Sequence, residues 1–422
     1  MSKYSFLLTL LLSAYLFYGC SQTESAQISQ VQEVTLNETE RTPLLLISID
    51  GFRTDYLERT DTPALDYFLS KGVQAEYLKP IYPSNTFPNH YALATGLYAE
   101  NTGIIANNMF DPELGRFALG NRDAVSDGRW YGGEPIWVTA ENQGVRTATM
   151  FWPGSEADVM GVRPTRWVQY DNSITYPSRV DSVITWLQVE DYTRPDFLTL
   201  YFSRVDSRGH GHGVESDSVT AAIEYVDRQI GYLIDELKRI DMWGNINIFI
   251  TSDHGMASLS EEKTIFLDDI IDLDHVFVRN WGTAGMIAPR DGRTEEVYNQ
   301  LKAAEDEYGN VFRVYRKADI PERFRFKNHP RVPEILIEFD VPYAMTSRSN
   351  FERRGILAGN HGWDPESPEM HTIFFAKGPD FHEQLTFPYV NMVDIYELMC
   401  HLLGLDPAEN DGNFDVWERA LR

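Results

Sequence analysis

The sequence predicts an α/β fold in which a doubly wound, mostly parallel central sheet carries helices on both faces. Three observations predict it. Unbroken apolar runs of strand length occur at residues 43–49 (PLLLISI), 197–202 (FLTLYF) and 246–250 (INIFI), the pattern of strands buried on both faces. Helix-like stretches separate them, and strand–helix alternation implies a parallel sheet covered on both sides. The composition is 43% apolar, 13% aromatic and 24% charged, enough to fill a large core, and it excludes a disordered, collagenous or multispan chain.

Taken in order, residues 61–71 (DTPALDYFLSK) predict a helix, with Pro63 near its start and Gly72 at its end. Residues 217–240 place Ala222, Tyr225, Val226, Ile230, Leu233, Ile234 and Leu237 at helical spacing. The stretch 276–346 differs. It reads as a strand (MIAPR), a charged helix (TEEVYNQLKAAEDEYG), a basic segment (RVYRKADIPERFRFKN) and a strand (EILIEFD), a small α+β lobe inserted into the main sheet. The sheet pattern returns at 372–376, with a final helix near 390–403. The expected division is therefore a catalytic domain at 43–275 and 347–422, interrupted by the lobe at 276–346.

At the N-terminus, Lys3 precedes an apolar run from Phe6 to Tyr18 that closes at Gly19-Cys20-Ser21. The run is of signal-peptide length and short for a bilayer span. Cys20 directly after a small residue resembles a bacterial lipoprotein processing site, although Phe17 and Tyr18 are bulky for one. Residues 1–20 are thus expected to be an export signal and 21–42 a polar tether, with a lipid on Cys20 as the membrane contact. Ordinary cleavage with release into the periplasm, or an uncut signal anchor, are the alternatives. Cys20 and Cys400 are the two cysteines, which make no disulfide framework.

Charge narrows the function. Against 37 Lys and Arg stand 63 Asp and Glu, a net charge of −26, which repels polyanions at long range and argues against a nucleic-acid polymer as partner. A small anionic ligand remains allowed if a metal or a local dipole supplies positive charge.

The apolar runs lead straight into such chemistry. Ile49 is followed by Asp50-Gly51, Phe202 leads into Asp206-Ser-Arg-Gly-His210, and Ile250 leads to Asp253-His254-Gly255. In an open parallel sheet, ligands bind beyond the carboxyl ends of the strands. Asp50, Asp206, His210, Asp253 and His254 should therefore meet at one rim. Three carboxylates sharing a crevice suppress one another's ionisation, and with imidazoles interleaved a divalent metal is the natural partner. His361, in Gly359-Asn-His361-Gly362, can complete the set. Pro88 marks a helix start continued by Tyr91 to Leu97, so Thr86 is expected just ahead of a helix N-terminus, where an anion is favoured. Beside a metal its hydroxyl could become a nucleophile; alone it would read as a cap.

Seven segments in this order carry a resemblance: SIDGFR around Asp50, NTFPNHYALATGLY around Thr86, GIIANNMFDP from Gly103, FWPGS from Phe151, DSRGH from Asp206, TSDHGM from Thr251 and GNHGW from Gly359. Together they resemble the nucleotide pyrophosphatase/phosphodiesterase family of the alkaline phosphatase superfamily, whose fold is the same doubly wound sheet. The resemblance implies two zinc ions, one held by Asp50, Thr86, Asp253 and His254 and the other by Asp206, His210 and His361. It implies a phosphothreonine formed on Thr86 and hydrolysis of nucleotide pyrophosphate or phosphodiester bonds to a nucleoside 5'-monophosphate. The family's phosphoryl-binding Asn falls on Asn107, with Asn108 the neighbouring choice, and its base-stacking positions fall on Phe87 and Tyr170. His90 and His212 are set aside as ligands, the Asp-x-x-x-His spacing favouring His210. A non-nucleotide diesterase, such as one for phospholipid headgroups, or a phosphomonoesterase is the alternative, and a non-catalytic zinc-binding surface protein the remote one.

Overall fold

The apolar runs do become the middle of a sheet. In a computed structural model of the chain, which describes residues 41–190 and 193–422, eight strands lie in the order Leu385–Phe387, Val73–Ala75, Phe374–Lys377, Asn247–Thr251, Leu44–Ile49, Phe197–Phe202, Thr147–Met150 and Arg166–Trp167. Leu44–Ile49 runs parallel to both of its neighbours, and all six of its residues are buried. One strand departs from the parallel pattern: Phe374–Lys377 is antiparallel to both strands beside it. The expected export signal at 1–20, with Cys20, lies outside the described residues, as does the expected tether up to residue 40.

Alternation along Leu44–Ile49 explains how a run with a single polar residue, the buried Ser48, is accommodated. Leu44 and Leu46 enter one core with the helices Thr86–Thr95, Ile136–Asn142 and Ile395–Leu403. Leu45, Ile47 and Ile49 enter a second core with Pro63–Leu69, Tyr176–Leu187 and Asp217–Arg239. Successive strand side chains point to opposite faces, so each face buries its own helical layer. The long helix runs from Asp217 to Arg239, and its N-cap Ser216 accepts a hydrogen bond from the Val219 N–H. The helix expected over 61–71 is shorter, Pro63–Leu69. The last one begins at Ile395, because residues 392–394 form a tighter turn closed by reciprocal Asn391 and Asp394 hydrogen bonds.

Residues 276–339 form a separate antiparallel sheet of four strands, ordered Val276–Asn280, Ala284–Pro289, Ile335–Phe339 and Phe312–Arg316. The helix Thr294–Glu307 covers it with Val297, Leu301 and Ala304.

Arg331 ties the segment leading into Ile335–Phe339 to the rest of the fold. It is buried, donates to Asp111 Oδ2 at 2.8 Å, and to the Gly103 and Trp130 carbonyls at 2.7 Å each. Its guanidinium sits 4.7 Å from the centre of the Trp130 ring. Removing one partner of a buried ion pair leaves the other uncompensated. Arg331→Met should therefore lower the free energy of urea-induced unfolding by about 3–5 kcal/mol, while a variant at the exposed Arg129 should change it by less than about 1 kcal/mol.

Candidate active site

The rim beyond the carboxyl ends of the three central strands collects the residues that the sequence marked. Asp50 follows Ile49, and its N–H donates to the Phe202 carbonyl of the adjacent strand. Asp253 follows Thr251 after one residue. The helix Arg204–His212 begins just after Phe202, so Asp206 and His210 share its face one turn apart, with His210 Nε2 3.2 Å from Asp206 Oδ1. His212, on the same helix, is exposed. Gly51 is required here. Its φ is +69°, and a Cβ at that position would lie 3.0 Å from both Cα and Cβ of Asp206.

Thr86 stands differently from the sequence expectation. It is the first residue of the helix Thr86–Thr95 rather than a residue just ahead of a helix starting at Pro88, with Asn85 as N-cap and Pro88 still inside the first turn. Proline is tolerated there because the first-turn N–H groups have no intrahelical acceptor. Thr86 Oγ1 lies 3.1 Å from His254 Nε2.

Three histidines face the centre with one nitrogen each. His254 Nδ1 is 2.9 Å from the Gly255 carbonyl, His361 Nδ1 2.9 Å from the Ser84 carbonyl, and His210 Nδ1 2.9 Å from the Gly359 carbonyl. Carbonyl oxygens only accept, so Nδ1 carries the proton in each ring and Nε2 keeps a lone pair. The carboxylates are incomplete in the matching sense. Asp50 Oδ1, Asp206 Oδ1 and Asp253 Oδ2 are buried and lack a hydrogen-bond partner among the described residues. Ligand atoms of Asp50, Asp253 and His254 all lie within 4.8 Å of one another, as do those of Asp206, His254 and His361. His254 thus stands between the two groups, its ring stacked on that of His361 at 3.6 Å. His210 joins through Asp206 and through its ring, whose centre lies 5.0 Å from that of His361.

Electrostatics confirm that this set is unbalanced without a cation. Burial, and then the Asp253 and Asp206 carboxylates, push Asp50 well above the usual carboxylate range. Burial would raise Asp253 as well, but His254 and His90 hold it well below that range. Burial alone would lower His254, yet Asp253 raises it. His361 is pushed well below the ordinary imidazole value by burial, then by His254 and His210. Buried carboxylate oxygens without donors, facing imidazole lone pairs, are the donor set that a divalent cation completes.

Two residues that the sequence reading did not mark as functional support this cluster. Tyr201 donates a short hydrogen bond to Asp50 Oδ2. His90, set aside as a ligand, lies fully buried with Nε2 2.7 Å from Ser48 Oγ and Nδ1 3.2 Å from Asp253 Oδ2. A cavity of about 220 Å³ opens from Asp50 and Thr86, and Phe87 and Tyr170 both line it. Arg122 and Glu156, which form an ion pair, line it too and were not foreseen, since nothing in their sequence neighbourhood sets them apart. Asn107 lies outside that cavity, in a larger cleft on the other side. Its Oδ1 accepts the Phe87 N–H at 2.9 Å, which leaves its Nδ2 donor for other use.

Residues 44–364 match the type I phosphodiesterase/nucleotide pyrophosphatase family. The chain belongs to that family. It is a phosphodiester-bond hydrolase of it, and the family is metal-dependent. The human ectonucleotide pyrophosphatase/phosphodiesterase family member 5 is 35% identical over 89% of this chain and 77% of its own. Human bis(5'-adenosyl)-triphosphatase is 36% identical over 88% of this chain and 80% of its own. Among solved structures, murine ectonucleotide pyrophosphatase/phosphodiesterase 5 in an inactive threonine-to-alanine form, in complex with AMP, superposes with a TM-score of 0.86 at 35% identity. That match covers 90% of this chain and all of the murine one. Among the described residues, no helix is long and apolar enough to cross a membrane.

Because Asp50 is raised by burial and its carboxylate neighbours, and His210 and His254 are raised by Asp206 and Asp253 despite burial, all three hold protons more tightly than usual before a metal binds. A cation must displace those protons. Zinc affinity measured by calorimetry should fall as pH is lowered from 8 to 5, with net proton release on binding. Affinity independent of pH would contradict this assignment.

Proposed function

We propose that the protein is an exported two-zinc hydrolase that cleaves nucleotide pyrophosphate or phosphodiester bonds through a phosphothreonine on Thr86 and releases a nucleoside 5'-monophosphate. The observation that carries the reading is the convergence of three buried carboxylate oxygens that lack a hydrogen-bond partner with the His254 and His361 rings, with His210 Nε2 beside Asp206 and the Thr86 hydroxyl beside His254. Asp50, Asp253, His254 and Thr86 would hold one ion, and Asp206, His210 and His361 the other. Mixed imidazole and carboxylate donors suit zinc. Such ions, when bound, supply Lewis-acid stabilisation of phosphoryl charge and make the threonine hydroxyl easier to deprotonate.

The chain's own residues do the rest. Thr86 Oγ1 loses its proton to solvent and forms a bond to phosphorus as the bond to the leaving oxygen breaks, that oxygen leaving with a proton from solvent; water then attacks the threonine ester, returning a proton to Thr86 Oγ1 and releasing the nucleoside monophosphate. Thr86 opens a helix, but the Phe87 N–H is taken by Asn107, Pro88 has none and the Asn89 N–H goes to the Asn85 carbonyl, so a side-chain donor has to meet the phosphoryl oxygens that gain charge. Asn107, fixed by the Phe87 N–H, would donate Nδ2 to one of those oxygens. A neutral amide in that place suits the single charge of a diester better than the double charge of a monoester. Phe87 and Tyr170 would hold a base in the cavity that begins at Thr86. The AMP bound to the murine relative supports a nucleoside monophosphate product, and the inactivity of its threonine-to-alanine form supports a threonine at the centre of the chemistry. Export rests on the sequence of residues 1–20 alone, with Cys20 as the proposed lipid attachment point.

An aryl nucleotide diester and its matching aryl monoester, assayed side by side, test the reading. The diester should be turned over at least ~100-fold faster, Thr86→Ala should lose about 10³-fold or more, and chelation should abolish turnover with recovery on adding zinc. Chelator-insensitive turnover or a fully active Thr86→Ala protein would overturn it.

A further inference from the structure

On the His210 and His361 side of the site, away from the cavity that holds Phe87 and Tyr170, the molecule opens into a cleft of about 1020 Å³. It runs between the hairpin Asn108–Asp111/Gly115–Ala118, the hairpin Val276–Asn280/Ala284–Pro289 and the helix Arg348–Arg354. Its lining contradicts the charge of the chain. With 63 acidic residues against 37 Lys and Arg overall, it contains no Asp or Glu, yet it includes five arginines: Arg116, Arg279, Arg290, Arg353 and Arg354. None of the five has a carboxylate within ion-pair distance among the described residues, although most other arginines of the fold do. Arg290 Nε is buried and has no hydrogen-bond partner among them.

The charge is also graded along the cleft. Next to the metal-ligand candidates the polar lining is neutral: Asn85, Asn107, Asn108 and Asn360. The guanidinium of Arg279 lies 3.8 Å from the centre of the Phe110 ring, two residues along the strand Asn108–Asp111 from Asn108. Two strand residues span about 7 Å. Arg279 and Arg290 both cover the exposed Phe277 ring, at 4.6 and 3.8 Å. The Phe110 and Phe277 faces are therefore already occupied by cations, and Trp281, which also lines the cleft, packs partly into the lobe core, so guanidinium edges stand in front of the two phenylalanine rings to meet a ligand. That favours phosphate over a stacked base, since base stacking needs an open ring face.

We propose that this cleft receives the leaving half of the substrate and selects leaving groups that carry several phosphate charges of their own, with Arg279 and Arg290 as the residues that bind the distal phosphates. The assignment deepens the reading above and rests on it, because it takes the scissile bond to lie at Thr86. A short or uncharged leaving group would end among the asparagines and gain nothing from the arginines. A long nucleic-acid strand would meet the repulsion of the surrounding acidic surface.

The test compares a dinucleoside tetraphosphate with an aryl ester of the same nucleoside monophosphate, whose leaving group ends in a neutral ring. In Arg279→Gln/Arg290→Gln, kcat/KM for the tetraphosphate should fall about 10-fold or more and that for the aryl ester should stay within about two-fold. In the intact protein the tetraphosphate rate should weaken with added salt, and the double variant should lose most of that dependence. The exposed pair Arg353→Gln/Arg354→Gln, which packs into no core, should show the same selective loss to a smaller degree, and it carries the test if the first variant fails to fold. Equal losses on both substrates, no loss on either, or an oligothymidylate preferred over the tetraphosphate would each overturn the proposal. Calorimetric binding of inorganic tripolyphosphate separates it from the catalytic reading. If neither ester is hydrolysed but tripolyphosphate still binds about 10-fold more weakly to the variant, the cleft stands and the catalytic reading falls. If turnover is normal and tripolyphosphate binding is unchanged in the variant, the catalytic reading stands and the cleft assignment falls.

Discussion

Three carboxylates just beyond the ends of neighbouring strands, buried within a few ångströms of one another, are the constraint on which the rest of this molecule turns. Like charges so placed cannot all remain ionised without compensation. The fold supplies part of that compensation and leaves the rest open. Tyr201 donates to one oxygen of Asp50 and the Gly51 N–H to one oxygen of Asp253, while the second oxygen of each, and one of Asp206, has no donor. The imidazoles are turned the other way, their Nδ1 protons spent on backbone carbonyls and their lone pairs directed inward. Orientation by a backbone acceptor is how a protein fixes which ring nitrogen is free to ligate.

The sheet makes that crowding possible. Six buried residues from Leu44 to Ile49 anchor the strand between two parallel neighbours, so Asp50 emerges beside Phe202 and close to Asp253. The helices above and below seal both faces, and the polar groups are confined to one rim. The two spaces that leave this rim differ in character. One is small, partly aromatic, and begins at Thr86; the other is large, basic, and reaches the lobe strands. A diester has two sides, and the geometry offers a distinct environment for each.

Much of this was legible before the fold was known, because the signals were local. An apolar run followed at once by Asp or His states both the strand and the place where its chemistry sits. Asp206 and His210 were legible as residues just past a strand, but the helix Arg204–His212 that puts them one turn apart was not read from the sequence. Other features were not legible because they depend on contacts between distant segments. Tyr201 reads as one more apolar-strand aromatic until its hydroxyl is seen beside Asp50. Arg122 and Glu156 pair across 34 residues, and neither belongs to a segment with a pattern of its own. The antiparallel direction of Phe374–Lys377 leaves no mark in its sequence, which reads like any buried strand. The arginines of the basic cleft come from three stretches, and only their common opening distinguishes them from surface charge. Thr86 was expected just ahead of its helix because Pro88 suggests a first helical position, whereas Pro88 occupies the third, where its missing N–H costs no intrahelical bond.

The most direct measurement is anomalous diffraction at the zinc absorption edge from crystals grown with zinc. Two peaks per chain are expected, one among Asp50, Asp253, His254 and Thr86 and one among Asp206, His210 and His361. A chain that shows no peak there, or whose zinc lies elsewhere while turnover persists, would contradict the two-metal centre.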